Sequence, residues 1–209
     1  MAHPAAALPE GSRPIGRTRT LRRLTRSLDA LVATNTDATA IAARAGMLLR
    51  PALGDPALLE RRHWEPAEDR YRQHLVHVHP AGRYSVVALV WKPGQATPIH
   101  DHRCWCVVGV WHGLERETTY DLHADARGSD ALVPRYSTDA APGHVSVLVP
   151  PDEDIHRVEN AGTGLAISIH VYGDDISVLG SSINRTFADD LVRAGPQATP
   201  PVSWRERES

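Results

Sequence analysis

The amino-acid sequence predicts a mainly β fold, a small antiparallel barrel or sandwich preceded by two N-terminal α-helices. Two observations lead to this prediction. Leucines recur at steps of three and four residues near the N-terminus, which is the spacing of one apolar helix face. Beyond Trp64, short runs rich in Val, Ile and Tyr are separated by Gly, Pro and Asp at intervals of about ten residues, a pattern typical of antiparallel β-domains.

The first predicted helix begins at Thr18. A second helix follows, with Asp37 as its N-cap, and we expect it to end before Pro51 because proline has no backbone N–H to donate. The apolar face of the first helix consists of Leu21, Leu24, Leu28 and Leu31.

Seven strands are predicted after the helices from their apolar, β-branched composition. They cover residues 70–78, 83–91, 105–111, 115–122, 144–150, 155–160 and 164–173.

The chain of 209 residues is expected to form one folded domain. Helices over residues 17–63 should pack on a β-domain over residues 64–194. The two ends, residues 1–16 and 195–209, are rich in Pro and predicted to be disordered.

Charge and hydropathy exclude several classes of partner. The formal net charge of −2 leaves no basic excess for nucleic acid. No stretch reaches the roughly 18 apolar residues of a membrane span, and the N-terminus lacks the pattern of a signal peptide. We therefore expect a cytoplasmic protein, a monomer or small homo-oligomer, that acts on a small molecule.

Histidine is abundant, with 12 residues, and two pairs have the spacing of metal ligands on a strand. His100 and His102 form one pair. His77 and His79 form the other, which lacks the glycines that frame the first and is interpreted as a solvated strand face. Cys104 and Cys106 are also two positions apart, a geometry unsuited to a disulfide.

The residues around His100 and His102 resemble the first sequence motif of the cupins. Gly94 is followed by five residues, His100-Asp-His102, three residues, Cys106, six residues and Gly113. In most cupins the position of Cys106 holds a glutamate that is the fourth metal ligand.

The stretch PPDEDIHRVEN resembles the second cupin motif and adds His156. This resemblance implies a cupin domain with a metal on His100, His102 and His156. Because imidazoles are neutral, three of them do not reduce the charge of a divalent metal ion, and they leave some of its coordination positions open. Such a ligand set suits Fe(II), Zn(II), Ni(II) or Cu(II).

Ser168, His170 and Tyr172 alternate in AISIHVYG and therefore share one face of a strand. One interpretation is a hydrogen-bonded relay beside the metal. The other is a solvent-facing side of the strand, with Ile167, Ile169 and Val171 on the buried side.

Three motifs together resemble those of the thiol dioxygenases, a family of cupins that includes cysteine dioxygenase and 3-mercaptopropionate dioxygenase. The motifs are His-Asp-His, His-Arg-Val-Glu-Asn and Ser-Ile-His-Val-Tyr. The resemblance covers roughly residues 68–176. It implies a mononuclear Fe(II) cofactor, with Ser168, His170 and Tyr172 as an outer-sphere triad. The activity it implies is insertion of both atoms of O2 into a small thiol, L-cysteine or 3-mercaptopropionate-like, to give a sulfinate.

The resemblance also bears on the substrate carboxylate. Members that prefer L-cysteine often carry an arginine, two residues after a tyrosine, that pairs with the substrate carboxylate. In this chain Gln73 stands in that position, two residues after Tyr71, as in the glutamine type. That type tends to carry an arginine where this chain has Ser181. Arg185, then Arg72 and Arg103, are the candidate anchors, each being otherwise a surface arginine.

Cys106 occupies the position at which animal cysteine dioxygenases carry a cysteine that becomes thioether-linked to the relay tyrosine. A Cys106–Tyr172 crosslink is therefore one hypothesis, and a small buried apolar side chain is the other. Two alternatives to a thiol dioxygenase stay open: a cupin enzyme with another metal and a non-thiol substrate, and a ligand-binding cupin without turnover.

Overall fold

The computed structural model of the protein describes residues 18–124, 130–151 and 154–193. The ends predicted to be disordered, 1–16 and 195–209, lie outside the described residues. None of the helices in the described part of the chain has the length and apolar content that a membrane span requires.

In the described part of the chain, two five-stranded antiparallel sheets form the body of the fold, and three α-helices accompany them. The helices are α1 (Arg19–Thr34), α2 (Ala38–Leu53) and α3 (Ile176–Leu179). The strands are β1 (Arg72–Val78), β2 (Ser85–Trp91), β3 (Ile99–His102), β4 (Cys106–His112), β5 (Glu115–Ala124), β6 (Asp130–Ala140), β7 (Val145–Leu148), β8 (His156–Asn160), β9 (Ala166–Tyr172) and β10 (Ile183–Phe187).

The strand order is β1-β2-β9-β4-β7 in the first sheet and β10-β3-β8-β5-β6 in the second. Strands distant in sequence are neighbours in both sheets, as in a jelly roll. The predicted fold class, a single cupin preceded by two helices, is confirmed.

The two long helices are capped as the sequence predicts. The Thr18 hydroxyl accepts a hydrogen bond from the N–H of Leu21, and the Asp37 carboxylate accepts one from the N–H of Ala40. The prediction that α2 ends before Pro51 is wrong, because the helix continues to Leu53. Proline in the last turn sacrifices only one helical hydrogen bond, and burial of the residues beyond it compensates for that loss.

The outer face of the first sheet is covered by α2. A Cβ built on Gly109 of β4 would lie 2.8 Å from side-chain atoms of Leu49 and Leu53, so glycine permits this close approach. Side chains of β4 and β9 alternate between this helix-facing core and the interior between the sheets. The interior face holds Cys106 and Tyr172.

Three strands were not among those predicted: β3, β6 and β10. Strand β6 contains Pro134. A proline argues against a strand when only the sequence is known, because it has no backbone N–H to donate to the neighbouring strand. The structure accommodates Pro134 at a bulge, where the register shifts between Thr119 and Tyr120 of β5. Strand β3 has only four residues, too few for a periodicity signal.

The glycines of the first cupin motif have a backbone role. Gly94 and Gly113 both adopt a φ of +78°, in the left-handed region that favours glycine. At Gly113 a Cβ would also lie 2.4 Å from the carbonyl oxygen of Leu165. These turns fix the entry and exit of the segment that carries His100 and His102.

Candidate metal centre

Three histidines converge between the sheets. His100 and His102 lie on β3, and the antiparallel partner strand β8 places His156 directly opposite His100. Their ring centroids are 4.7 to 4.9 Å apart in all three pairs. Their candidate ligand atoms all lie within 4.8 Å of one another, and all three side chains are buried.

Each of the three imidazoles is oriented through its Nδ1 atom by an oxygen acceptor. His100 Nδ1 is 2.9 Å from the carbonyl oxygen of Pro98, and His102 Nδ1 is 3.2 Å from that of Asp154. His156 Nδ1 is 2.7 Å from Oε1 of Glu117. Because carbonyl and carboxylate oxygens only accept, each Nδ1 carries the proton, which leaves each Nε2 lone pair available for a metal.

Burial keeps His100 and His102 neutral. Desolvation, and then the neighbouring imidazoles, hold the pKa of His100 and of His102 well below its ordinary value. Burial would raise the pKa of Glu117, but hydrogen bonds from His156 and Ser146 outweigh it, so the pKa of Glu117 is lowered. An ionised Glu117 behind His156 makes that imidazole a stronger donor to a cation.

These observations fit a resident metal ion. Each of the three imidazoles has its Nδ1 held by an oxygen acceptor, which leaves Nε2 as the atom that can bind a transition metal. Facial binding by three residues leaves positions for exogenous ligands, a feature of catalytic rather than purely structural metal sites.

Ser168, His170 and Tyr172 face the interior between the sheets, and Ile167, Ile169 and Val171 face the helices. The Ser168 hydroxyl is 3.0 Å from His170 Nε2, and the Tyr172 hydroxyl is 3.0 Å from His170 Nδ1. We call these three side chains the relay. The solvent-facing interpretation does not apply, because all three are buried.

The relay is electrically neutral at ordinary pH. Burial, with a contribution from His156, lowers the pKa of His170 to about 3, and burial raises the pKa of Tyr172 well above its ordinary value. The indole N–H of Trp91 donates to the Ser168 hydroxyl at 3.2 Å. The Ser168 hydroxyl is therefore held by both Trp91 and His170.

Cys106 and Tyr172 are directly opposite each other on β4 and β9. Both are buried in the interior cluster, and Cys106 Sγ is 3.9 Å from His170 Nδ1. Burial raises the pKa of the Cys106 thiol well above its ordinary value, so the sulfur is protonated. Cys104 is a free thiol with intermediate exposure.

The histidine triad opens into a cavity that Tyr172 and His170 also line. Gln73 of β1 and Tyr71, which precedes it, form another wall, and the Tyr71 ring stacks on Trp91 with centroids 4.4 Å apart. Tyr71 and Gln73, which the sequence predicts to be substrate-binding residues, thus lie in the wall of this cavity, and their role in binding stays a prediction.

Arg185 does not line this cavity. Its guanidinium binds Asp101, the residue between the two β3 histidines, with Nε 2.7 Å and a terminal nitrogen 2.6 Å from Oδ2. Because this ion pair occupies the guanidinium and holds β10 against β3, Arg185 is not placed to anchor a substrate carboxylate.

The other two candidate arginines also point elsewhere. Arg72 pairs with Glu65 on the surface, and Arg103 donates to the carbonyl oxygen of Ile183. No arginine or lysine is among the described residues that line the cavity. Ser181 and Ser182, which sequence reasoning did not propose as binding residues, lie there instead.

The second histidine pair has no metal-site geometry. His77 and His79 lie near the Tyr84 ring, and His79 Nε2 is 4.0 Å from Asp29. Within the described residues, the cluster of three candidate ligands is that of His100, His102 and His156.

Comparison with known proteins assigns the family. The sequence matches the family model described as cysteine dioxygenase type I over residues 19–179. The chain belongs to the cysteine dioxygenase type I family. The match includes both cupin motifs and the relay strand, and it supports a dioxygenase with a non-haem metal at the three histidines.

Solved structures resemble the fold at low identity. A conserved protein with a double-stranded β-helix domain from Klebsiella pneumoniae is 17% identical, with 60% of this chain and 93% of that chain covered and a TM-score of 0.41. Bacillus subtilis oxalate decarboxylase is 17% identical over 53% of this chain and 28% of that chain, with a TM-score of 0.40. A recombinant oxalate oxidase in complex with glycolate is 17% identical over 58% of this chain and 62% of that chain, with a TM-score of 0.41. The present chain thus spans less than a third of the decarboxylase, and these likenesses concern the fold alone.

Proposed function

We propose that the protein is a mononuclear non-haem Fe(II) thiol dioxygenase that oxidises a small thiol to its sulfinate with both atoms of O2. The observation that carries this proposal is that the three histidines line one cavity together with His170 and Tyr172 of the relay. Family membership supports the same reaction class.

In this proposal His100, His102 and His156 hold the iron through their Nε2 atoms. Bound there, Fe(II) would supply open positions for a thiolate and for O2, and no external reductant is required because the thiol provides the electrons. Glu117 keeps His156 oriented and electron-rich through its 2.7 Å hydrogen bond.

The chain's own residues would bind and orient the thiol. The Tyr172 hydroxyl faces the cavity beside the triad, and His170 fixes its position. We propose that Tyr71 and Gln73 contact the part of the substrate remote from sulfur. The neutral amide of Gln73 can donate to a carboxylate but does not provide the charged bidentate contact of an arginine.

The substrate class follows from these contacts. We propose a small thiol acid of the L-cysteine or 3-mercaptopropionate type, held by the neutral donors Gln73, Ser181 and Ser182 rather than by Arg185. Because thiols persist in reducing compartments, we further propose that the enzyme works in the cytoplasm.

Oxygen consumption tests the proposed function. The chain is loaded anaerobically with Fe(II) or Zn(II), and O2 uptake is then followed with and without a panel of thiols. We expect uptake only with Fe(II) and a thiol. An iron-replete sample without thiol-dependent uptake would contradict the proposal.

A charged residue at position 73 should change substrate preference. Gln73→Arg places a guanidinium in the cavity wall, where it can pair with a carboxylate, and a charge-assisted bond of this kind contributes on the order of 1.5–3 kcal/mol. We expect KM for L-cysteine and 3-mercaptopropionate to fall by about tenfold or more relative to the uncharged thiol 2-mercaptoethanol. Unchanged relative KM values would argue against a role for position 73, and Arg72→Gln on the exposed side of the same strand is the matched control.

Turnover should crosslink Cys106 and Tyr172. Opposed residues on antiparallel strands have Cβ atoms roughly 4.5–5.5 Å apart, within reach of a thioether between Sγ and the phenol ring. The bond forms with loss of the thiol hydrogen and one ring hydrogen, and O2 is the two-electron oxidant. We expect intact mass spectrometry after turnover to show a loss of two hydrogens. A Cys106→Ser variant should show no such loss, and an unchanged mass in the native chain would exclude the crosslink.

A further inference from the structure

A buried carboxyl lies at the end of the relay farthest from Tyr172. Glu115 begins β5 and is 1% exposed. Neither of its carboxyl oxygens has a partner in hydrogen-bond geometry among the described residues. A polar group that is buried in this way is costly, and its presence calls for a functional explanation.

Two donors nevertheless face this carboxyl. The Ser168 hydroxyl on β9 and the Trp91 indole on β2 both lower the pKa of Glu115, although neither closes to full hydrogen-bond geometry. Burial is the larger effect, and with the repulsion from Glu117 it raises the pKa of Glu115 to about 8.

No other ionisable group opposes Glu115 on its neighbouring strands. It lies opposite Asn160 of β8 and Ala140 of β6, neither of which titrates. On the same face of its own strand the charged neighbour is Glu117, whereas Arg116 faces the other side; Ser168 in turn contacts His170. The proton affinity of Glu115 is therefore set by burial, by Glu117 and by the Ser168 end of the relay.

The hydrogen-bonding capacity of Ser168 defines one arrangement of the relay. Its oxygen accepts the Trp91 N–H at 3.2 Å and has one further lone pair and one proton. When Glu115 is ionised, the Ser168 proton is drawn to the carboxylate. The second lone pair then accepts the Nε2 proton of His170.

The other end of the relay follows from this arrangement. A His170 that is protonated on Nε2 has a bare Nδ1, which accepts the Tyr172 O–H at 3.0 Å. All protons then point away from the cavity and toward Glu115. The relay is a continuous path for one proton from the cavity to the buried carboxylate.

We propose that Glu115 accepts the thiol proton of the substrate, and that the relay carries this proton from the cavity to the carboxylate. The thiol S–H protonates the Tyr172 oxygen while the Tyr172 proton moves to His170 Nδ1. The His170 Nε2 proton moves to Ser168 Oγ, and the Ser168 proton moves to Glu115.

Charge and atoms balance in this transfer. One S–H bond breaks, one carboxyl O–H bond forms, and each relay member loses one proton and gains one. The negative charge moves from Glu115 to the thiolate in the cavity, so no relay member stays charged. The role extends the proposed function on which it rests, because a thiol must lose its proton before it can act as a metal ligand.

The transfer is close to isoenergetic. An ordinary cysteine thiol has a pKa of about 8.5, which is close to that of Glu115, so the proton moves between groups of similar affinity. A divalent cation on the three histidines would lower both the pKa of Glu115 and the pKa of a thiol bound to that cation.

Infrared difference spectroscopy on the iron-loaded full chain tests the proposal without O2. Anaerobic 3-mercaptopropionate is added in buffer near the pKa of Glu115, where part of the carboxyl is ionised and can accept a proton. We expect a protonated carboxyl band to grow on thiol binding, with loss of a carboxylate band, and fewer than one proton per bound thiol to reach the medium. In Glu115→Gln, which cannot accept a proton, the band should be absent and one proton per bound thiol should be released.

Two further variants separate proton transfer from structure. Ser168→Ala interrupts the relay but keeps Glu115, and it should also remove the band, which covers the case in which Glu115→Gln does not fold. Glu159→Gln, on the neighbouring strand and paired with Arg116, should behave as the native chain. Release of one proton per thiol by the native chain, with no new carboxyl band, would overturn the proposal.

The two proposals fail independently. A carboxyl band on thiol binding without subsequent O2 uptake would refute the dioxygenase and keep Glu115 as proton acceptor. Normal O2 uptake without the band would refute only the role of Glu115.

Discussion

Replacing His156 by alanine should abolish iron binding and O2 uptake. Loss of a residue that merely orients a metal-bound histidine typically costs about 10–100-fold in metal affinity, and loss of a ligand should exceed that range. Only two imidazoles, both on β3, would remain to hold the ion. The measurement is iron content per chain after anaerobic loading and desalting, followed by the rate of thiol-dependent O2 uptake.

His77→Ala is the matched control for this variant. It removes an imidazole from the other His-x-His pair, whose members lie near Tyr84 and not in the cavity. We expect iron content and O2 uptake to match the native chain. Loss of iron in the control, or its retention in His156→Ala, would contradict the assignment of the ligands.

Replacing Glu117 should weaken iron binding without removing a ligand. Glu117→Leu deprives His156 Nδ1 of its acceptor and should lower iron affinity by about 10–100-fold, whereas Glu117→Gln keeps an acceptor oxygen and should lose less. Competition with a metal chelator gives the affinities directly. Glu159→Gln, at a half-buried position paired with Arg116, serves as control, and equal affinities in all these chains would show that Glu117 has no influence on the metal.

The histidine triad illustrates how far local sequence spacing reaches. The i, i+2 spacing of His100 and His102 puts both side chains on one face of any strand, so their convergence does not depend on the rest of the fold. His156 was predicted separately, from the resemblance of its segment to the second cupin motif. The pairing of β8 with β3 places it opposite His100.

Glu117 and Glu115 could not be found by the same reasoning. Both lie in ERETTYDL, which reads as an ordinary alternating strand with acidic residues on a solvated face. Which face is buried depends on pairing with β8, more than thirty residues away in sequence, and with the relay strand β9. A buried carboxylate of this kind is visible only once long-range register is known.

Arg185, in contrast, was singled out from the sequence but lies away from the cavity. Its position near the expected anchor suggested a substrate contact, but β10 pairs with β3 and brings it beside Asp101. The Arg185 guanidinium therefore forms an ion pair with Asp101, the residue between His100 and His102, and does not enter the cavity. Sequence distance could not distinguish these outcomes, because β10 itself was not predicted as a strand.

In the proposed reaction, both atoms of O2 are transferred to the sulfur of a small thiol. Its most direct test is a single turnover of the iron-loaded chain with 3-mercaptopropionate or L-cysteine under ¹⁸O2, followed by mass spectrometry of the product. We expect a sulfinate that carries two ¹⁸O atoms. A disulfide product, or a sulfinate with one oxygen from water, would contradict it.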